Sequence, residues 1–189
     1  MRSSPARHPV LALSILALLA ACASDGPMRV TDADQPRAVG EGTPVQVRWG
    51  DPAEFTELRY SPNRRQASQG DWVAELGAYV ARRIARVLPA GERVDVEVLD
   101  VERAGEFEWW GSMNDDIRVM RPIYAPRMRV QFRRFGSDGQ VVAEGERTLS
   151  DIAYLDGPQP VSSSDPLRYE KRMVDRWVQR EFGRPVTRR

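Results

Sequence analysis

The residues best placed to do chemistry lie between Ala104 and Asp116, where the segment AGEFEWWGSMNDD sets Glu106, Glu108, Asp115 and Asp116 beside Trp109 and Trp110. Paired carboxylates next to aromatic platforms suit glycan cleavage, because one carboxyl protonates the leaving group while another serves as base or nucleophile. Clustered acids also suit calcium, which prefers hard oxygen ligands, but the spacing is not that of an EF-hand loop. Two neighbouring acids in a loop more often stay solvated or cap a strand end, so no metal is expected. The tryptophans point to recognition: adjacent side chains in extended backbone face opposite sides, and an outward tryptophan is a typical interface hot spot. Arg118, just beyond, can clamp a carboxylate of Asp115 or Asp116 through parallel hydrogen bonds. Glu106, Glu108, Trp109, Trp110, Asp115, Asp116 and Arg118 together form the candidate binding site, and none of them is assigned as catalytic.

The start of the chain removes two other reactive residues. Arg2, Arg7 and His8 precede an apolar run from Val10 to Ala21 interrupted only by Ser14. Spanning a bilayer as a helix takes roughly 20 residues, and this run is about twelve. It reads as the hydrophobic part of a secretory signal covering residues 1–21. The run closes as Leu19-Ala20-Ala21-Cys22, which resembles the lipobox of bacterial lipoproteins. That resemblance implies cleavage before Cys22, diacylation of its thiol and acylation of the new amino group, with palmitate among the chains. Several acyl chains on one residue anchor stably, since each buried methylene contributes about 0.8 kcal/mol. Ala23 and Ser24 after the cysteine lean the destination towards the outer membrane, facing the periplasm.

His8 is the sole histidine and Cys22 the sole cysteine. The mature chain therefore lacks a Ser-His-Asp triad, a Cys-His pair, a histidine metal site and a disulfide. It also carries no glycine-rich phosphate loop, and no cofactor is expected. Losing Arg2 and Arg7 takes the balance of 28 cationic and 27 acidic side chains to 26 and 27. Such near-neutrality leaves no electrostatic footprint for nucleic acid. All the cationic residues but Lys171 are arginine, so arginine count alone indicates no anion site.

Residues 23–44 mix Gly, Pro, Asp and small polar residues without periodicity, the composition of a flexible tether following lipidated Cys22. Val45, Val47 and Trp49 then alternate with polar residues, a strand with one buried face. A long loop follows, in which Phe55, Leu58 and Tyr60 pin the chain to the core and Glu57 can pair with Arg59. Trp72, Val73, Leu76, Tyr79, Val80, Ile84, Val87 and Leu88 recur at the spacing of an amphipathic helix, with Asp71 able to cap it and Pro89-Ala90-Gly91 ending it. Val94, Val96 and Val98 predict a second strand, and residues 117–121 a third. Met128, Val130 and Phe132 alternate before Gly136-Ser137-Asp138-Gly139, which turns the chain into Val141–Leu149 as a hairpin. A last helix begins at Ser164-Asp165-Pro166, with Asp165 able to cap it and Pro166 at its first position, buries Tyr169, Met173, Val174, Trp177 and Val178, and stops at Gly183 and Pro185. Glu170, Lys171 and Arg172 on it can tie it to the sheet by ion pairs. The expectation is one α+β domain over 45–183, a two-layer sandwich with a mostly antiparallel sheet of four to five strands and both helices on one face, followed by a disordered tail at 184–189.

Several stretches resemble a proteobacterial family of lipoproteins known as domain-of-unknown-function family 3016. They are Asp51-Pro52 with FTELR at 55–59, Leu88-Pro89 with VDVEVLDVE and Ala104-Gly105-Glu106, NDDIRVM at 114–120, and YEKRM at 169–173 with Trp177. The likeness covers roughly residues 45–182 and implies no activity. Arg103 stands where the family pattern has an apolar residue, which predicts a more exposed turn there. Together these readings describe a bacterial envelope lipoprotein, a non-enzymatic binding or accessory module tethered to the membrane that binds an envelope protein or cell-wall glycan. The alternative is a carboxylate-dependent hydrolase acting on envelope glycan.

Overall fold

The computed structural model describes residues 27–108, 116–156 and 164–183. The signal, Cys22, Trp109, Trp110, Asp115 and the 184–189 tail lie outside the described residues. Among the described residues, no helix is long and apolar enough to cross a membrane.

The elements run β1 (Ala38–Val39), β2 (Val45–Trp49), α1 (Thr56–Arg59), α2 (Arg64–Ala67), α3 (Trp72–Ala85), β3 (Arg93–Glu102), β4 (Glu106–Phe107), β5 (Arg118–Val119), β6 (Arg127–Phe135), β7 (Val141–Ser150) and α4 (Arg168–Glu181). The main sheet has the order β1-β2-β3-β6-β7, and β4 with β5 forms a separate two-stranded sheet. All pairings are antiparallel except β2 with β3. The fold is the expected α+β sandwich, with residues 118–119 leaving the main sheet to build the small one.

Period-two alternation does what it should. Val45, Val47 and Trp49 sit beside Val94, Val96 and Val98, and these beside Met128, Val130 and Phe132, forming one buried face. Both long helices cover that face: Leu76, Val80 and Ile84 of α3 and Met173, Val174, Trp177 and Val178 of α4 join the same core. Removing this apolar surface from water is the main driving force, roughly 25 cal/mol per Å². The opposite face carries the polar partners and pairs them across strands: Arg48 with Glu97 at 2.8 Å, Arg133 with Glu144 at 3.1 Å and Arg129 with Glu146 at 3.5 Å. Between α3 and α4, the Tyr79 hydroxyl donates to Asp175 at 2.9 Å, and Lys171 bridges Glu75 and Asp165. Burial, aided by that bond to Asp175, pushes the Tyr79 phenol up to about 12.

Four expectations need correction. Tyr60, expected to pin the chain to the core beside Phe55 and Leu58, is 69 % exposed. Residues 27–44 are not a free tether: Val30 is buried in the main core, its amide donates to Ser68 O at 2.9 Å, and Ala38–Val39 extends the sheet. An apolar side chain inside an otherwise polar stretch suffices to dock it. Asp71 occupies the N-cap of α3 without accepting a capping bond. Asp165 instead accepts from the Leu167 amide at 2.8 Å and holds Lys171, so α4 begins at Arg168 behind a side-chain turn.

Gly77 sits inside α3, where glycine costs about 1 kcal/mol of helix propensity. Its place is set by Trp49: a Cβ there would lie 2.8 Å from the indole ring. Overpacking of this kind costs about 1–3 kcal/mol. Gly77→Ala is therefore expected to lower stability by about 1 kcal/mol net, despite the better helix former, as read from the urea midpoint.

Candidate functional site

Around the small sheet, a set of buried charges holds three separate parts of the chain together. Asp100 of β3 accepts from both the Thr56 amide and its hydroxyl at 2.7 Å, fixing the start of α1. An acid at that point satisfies helix amides that have no partner inside the helix. One residue on, Glu57 is buried, accepts from the Arg103 amide at 2.9 Å and forms a short ion pair with Arg118 of β5. The Arg118 guanidinium also donates to Gly105 O at 2.8 Å and lies over the Phe107 ring, 4.6 Å from its centroid. Gly105 turns with φ +78, and a Cβ there would meet the Met120 sulfur at 2.7 Å and Val119 O at 2.9 Å. From the other side Glu170 of α4 accepts from the Ala104 amide at 2.7 Å. Burial pushes the Glu170 carboxyl above its ordinary range, and its Oε2 has no hydrogen-bond partner.

Arg103 is half-buried in this arrangement, its guanidinium over Trp72 at 5.3 Å from the ring centroid. The turn is thus gripped by α1, α4 and β5 rather than exposed as the family comparison of that position predicts. Desolvation lowers the Arg103 pKa.

Beyond the turn, Glu108 is 2 % exposed and accepts from Arg121 at 2.7 Å and from the Tyr124 hydroxyl at 2.9 Å. Its bond to Glu108 raises the Tyr124 pKa. A second apolar cluster of Ala104, Ala125, Tyr154 and Tyr169 lies under this segment, and the Tyr154 hydroxyl donates to Arg121 O at 2.7 Å. Asp151, also buried, is held by Arg172 at 2.8 Å and Arg176 at 2.7 Å.

The structure therefore brings together Glu106, Glu108 and Arg118 and sends Asp116 elsewhere. Asp116 accepts from Asn63 and Arg65 near α2, and hydrogen bonds from Gln66, Asn63 and Arg65 hold its carboxyl below the ordinary range. The expected clamp between Arg118 and Asp116 is replaced by one to Glu57, and Glu57 does not pair with Arg59, which reaches Glu54 at 3.7 Å. Likewise, Glu170 is not part of an ion pair with its neighbours; Lys171 and Arg172 bind Glu75, Asp165 and Asp151. Glu57, Asp100, Asp151 and Tyr154 were missed as members of this site because their partners lie far off in sequence. Among the described residues, no group of three or more His, Cys, Asp or Glu is arranged to hold a metal ion.

With the Glu57–Arg118 clamp, the 103–108 turn and the α4 contact in place, the matched family can be read onto the fold. The family described as Protein of unknown function (DUF3016) matches residues 43–180, from just before β2 to the end of α4. The chain belongs to this family. No curated protein and no solved structure matches it. Within the span matched to DUF3016, the FTELR, AGE and YEKRM stretches meet at the buried charges: Glu57, Ala104 and Gly105, and Glu170 are the contacts just described. These residues of the DUF3016 chain thus serve its architecture.

Chemically the arrangement binds charge inside the protein. Glu108 and Glu57 have their oxygens committed to internal donors. Glu106 differs: half-buried, it accepts, among the described residues, from the Phe107 amide alone at 2.8 Å, and desolvation raises its pKa.

Breaking a buried pair by removing one partner costs about 3–5 kcal/mol, because the other charge is left uncompensated. Arg118→Ala is expected to lower stability by about 3 kcal/mol in chemical denaturation, and the double variant Glu57→Gln/Arg118→Leu to recover part of that. For Glu106 the raised native pKa means folding disfavours its ionised form, so its effect is absent at low pH and destabilising above about pH 4.3. Glu106→Gln is expected to match wild type below that pH and to unfold at higher temperature near neutrality.

Proposed function

We propose that this protein is a membrane-tethered, non-enzymatic binding or accessory module facing the periplasm, held by lipid on Cys22. The leader pattern ending at Leu19-Ala20-Ala21-Cys22 supports the anchor. One observation carries the non-enzymatic reading: the buried acids around the small sheet are consumed internally, Glu108 by Arg121 and Tyr124, Glu57 by Arg118 and the Arg103 amide. A general acid or base has to reach the proton it moves on a substrate. Trp109 and Trp110 then remain as the recognition element, suited to an envelope protein or a cell-wall glycan.

A carboxylate-dependent glycan hydrolase is the second reading, favoured by the raised, half-buried Glu106. It needs a second working carboxylate. Among the described residues, the acids whose charge reaches Glu106 are Glu57 and Glu102, and these are engaged by Arg118 and, at 3.9 Å, by Arg127.

Cys22→Ala is expected to abolish palmitate labelling and move the protein from the membrane to the soluble fraction, and retention at the membrane would overturn the anchor. Purified protein is expected to leave muropeptides intact; turnover lost in Glu106→Gln would establish the hydrolase instead.

A further inference from the structure

Where the chain enters the domain, a depression of about 340 Å³ is lined by Arg29, Arg64 and Arg65 with Thr31, Leu58 and Ser68. Arg29 spends one guanidinium nitrogen on Arg65 O at 2.9 Å and the Ser68 hydroxyl at 2.8 Å, and Arg64 donates to Arg59 O at 2.7 Å. Among the described residues neither is bridged to a carboxylate. The nearby acids are otherwise committed: Asp116 to Arg65, Asp32 to the Arg29 amide and Glu54 to Arg59. On the sheet's uncovered face, by contrast, Arg48, Arg129 and Arg133 each meet a glutamate.

Apolar side chains flank the same arginines. Met28, beside Arg29, is 49 % exposed; Tyr60, 69 % exposed, follows Arg59, whose carbonyl Arg64 holds and whose guanidinium lies over the Tyr60 ring; and Ile117, 55 % exposed, follows Asp116, which Arg65 holds. Arginine with tyrosine and aliphatic side chains is the combination that settles at a membrane–water boundary: the ring and methyls enter the headgroup layer, and the guanidinium meets phosphate.

Chain length supplies the occupant. Arg29 is seven residues from Cys22, and seven residues reach no further than about 25 Å. We infer that the surface formed by Arg29, Arg64, Tyr60 and Ile117 docks on anionic phospholipid of the membrane that holds Cys22. This rests on the lipoprotein reading. The acyl chains already supply anchoring, so the surface adds orientation, turning one chosen face of the domain to the bilayer.

The test uses the mature chain, residues 22–189, with Cys22→Ser, which carries neither signal nor lipid, in flotation with vesicles of phosphatidylglycerol and phosphatidylethanolamine or of phosphatidylcholine alone. Binding to the anionic vesicles only, weakening between about 50 and 300 mM salt, is expected. Arg64→Gln is expected to lose about fivefold, and Arg29→Gln/Arg64→Gln about 25-fold. Arg29 has structural bonds, so Arg64→Gln and Ile117→Ser, whose exposed side chains leave the fold intact by circular dichroism, carry the decision; Ile117→Ser should lose severalfold and Arg133→Gln nothing. Equal binding to both vesicles, no binding, or full binding by Arg64→Gln would each overturn the surface. Stabilisation by inorganic phosphate without vesicle binding would overturn the membrane as its source. The two readings fail separately. A chain never labelled with palmitate whose Cys22→Ser form still floats keeps the surface and loses the anchor; a labelled chain whose Cys22→Ser form ignores vesicles keeps the anchor and loses the surface.

Discussion

The pairing of Glu57 with Arg118 is the constraint around which the lower half of this domain is arranged. A carboxylate withdrawn from water needs an opposite charge and hydrogen bonds on its remaining lone pairs, or it will not stay ionised. Arg118 provides the charge and the Arg103 amide the second bond, and because Arg118 also holds Gly105 O, one guanidinium joins α1, the β3–β4 turn and β5. Glu108 and Asp151 repeat the solution with Arg121 and Arg172. An abundance of arginine is what such an interior requires, since a planar fork with five donors can satisfy a carboxylate and a carbonyl at once.

Local patterns were legible wherever one face of an element meets a core. The alternating valines of β2 and β3, the Met128-Val130-Phe132 series, the apolar spacing of α3 and α4 and the Gly136–Gly139 turn all appear where their residues imply. Family membership was legible in the same way, through motifs that stand together.

Long-range facts were not legible. Nothing in FTELR says that Glu57 will choose an arginine 61 positions on over one two positions away. Two positions apart on a helical turn, side chains point away from each other, so the distant partner wins. Gly77 looks like a flaw in a helix until Trp49 lies across it, and Val30 looks like part of a linker until the sheet offers it a place. Of the candidate site, Glu106 and Arg118 lie in the two strands of the small sheet and Glu108 just past its end, while Asp116 answers to Asn63 and Arg65 instead. Sequence proximity suggested one acidic cluster; competition among nearby cations divided it.

The parallel contact of β2 with β3 has a consequence for how the molecule assembles. Arg48 and Glu97, which face each other across that contact, are 49 positions apart, and α1, α2 and α3 all lie in the connection. Closing a loop of that length costs chain entropy before any strand bond repays it. The β6–β7 hairpin, joined by a short turn, carries no such cost. Hairpin first, with β3 added to its free side and the N-terminal strands arriving last, is the order this topology favours. The segment nearest Cys22 would then be the final part of the sheet to lock.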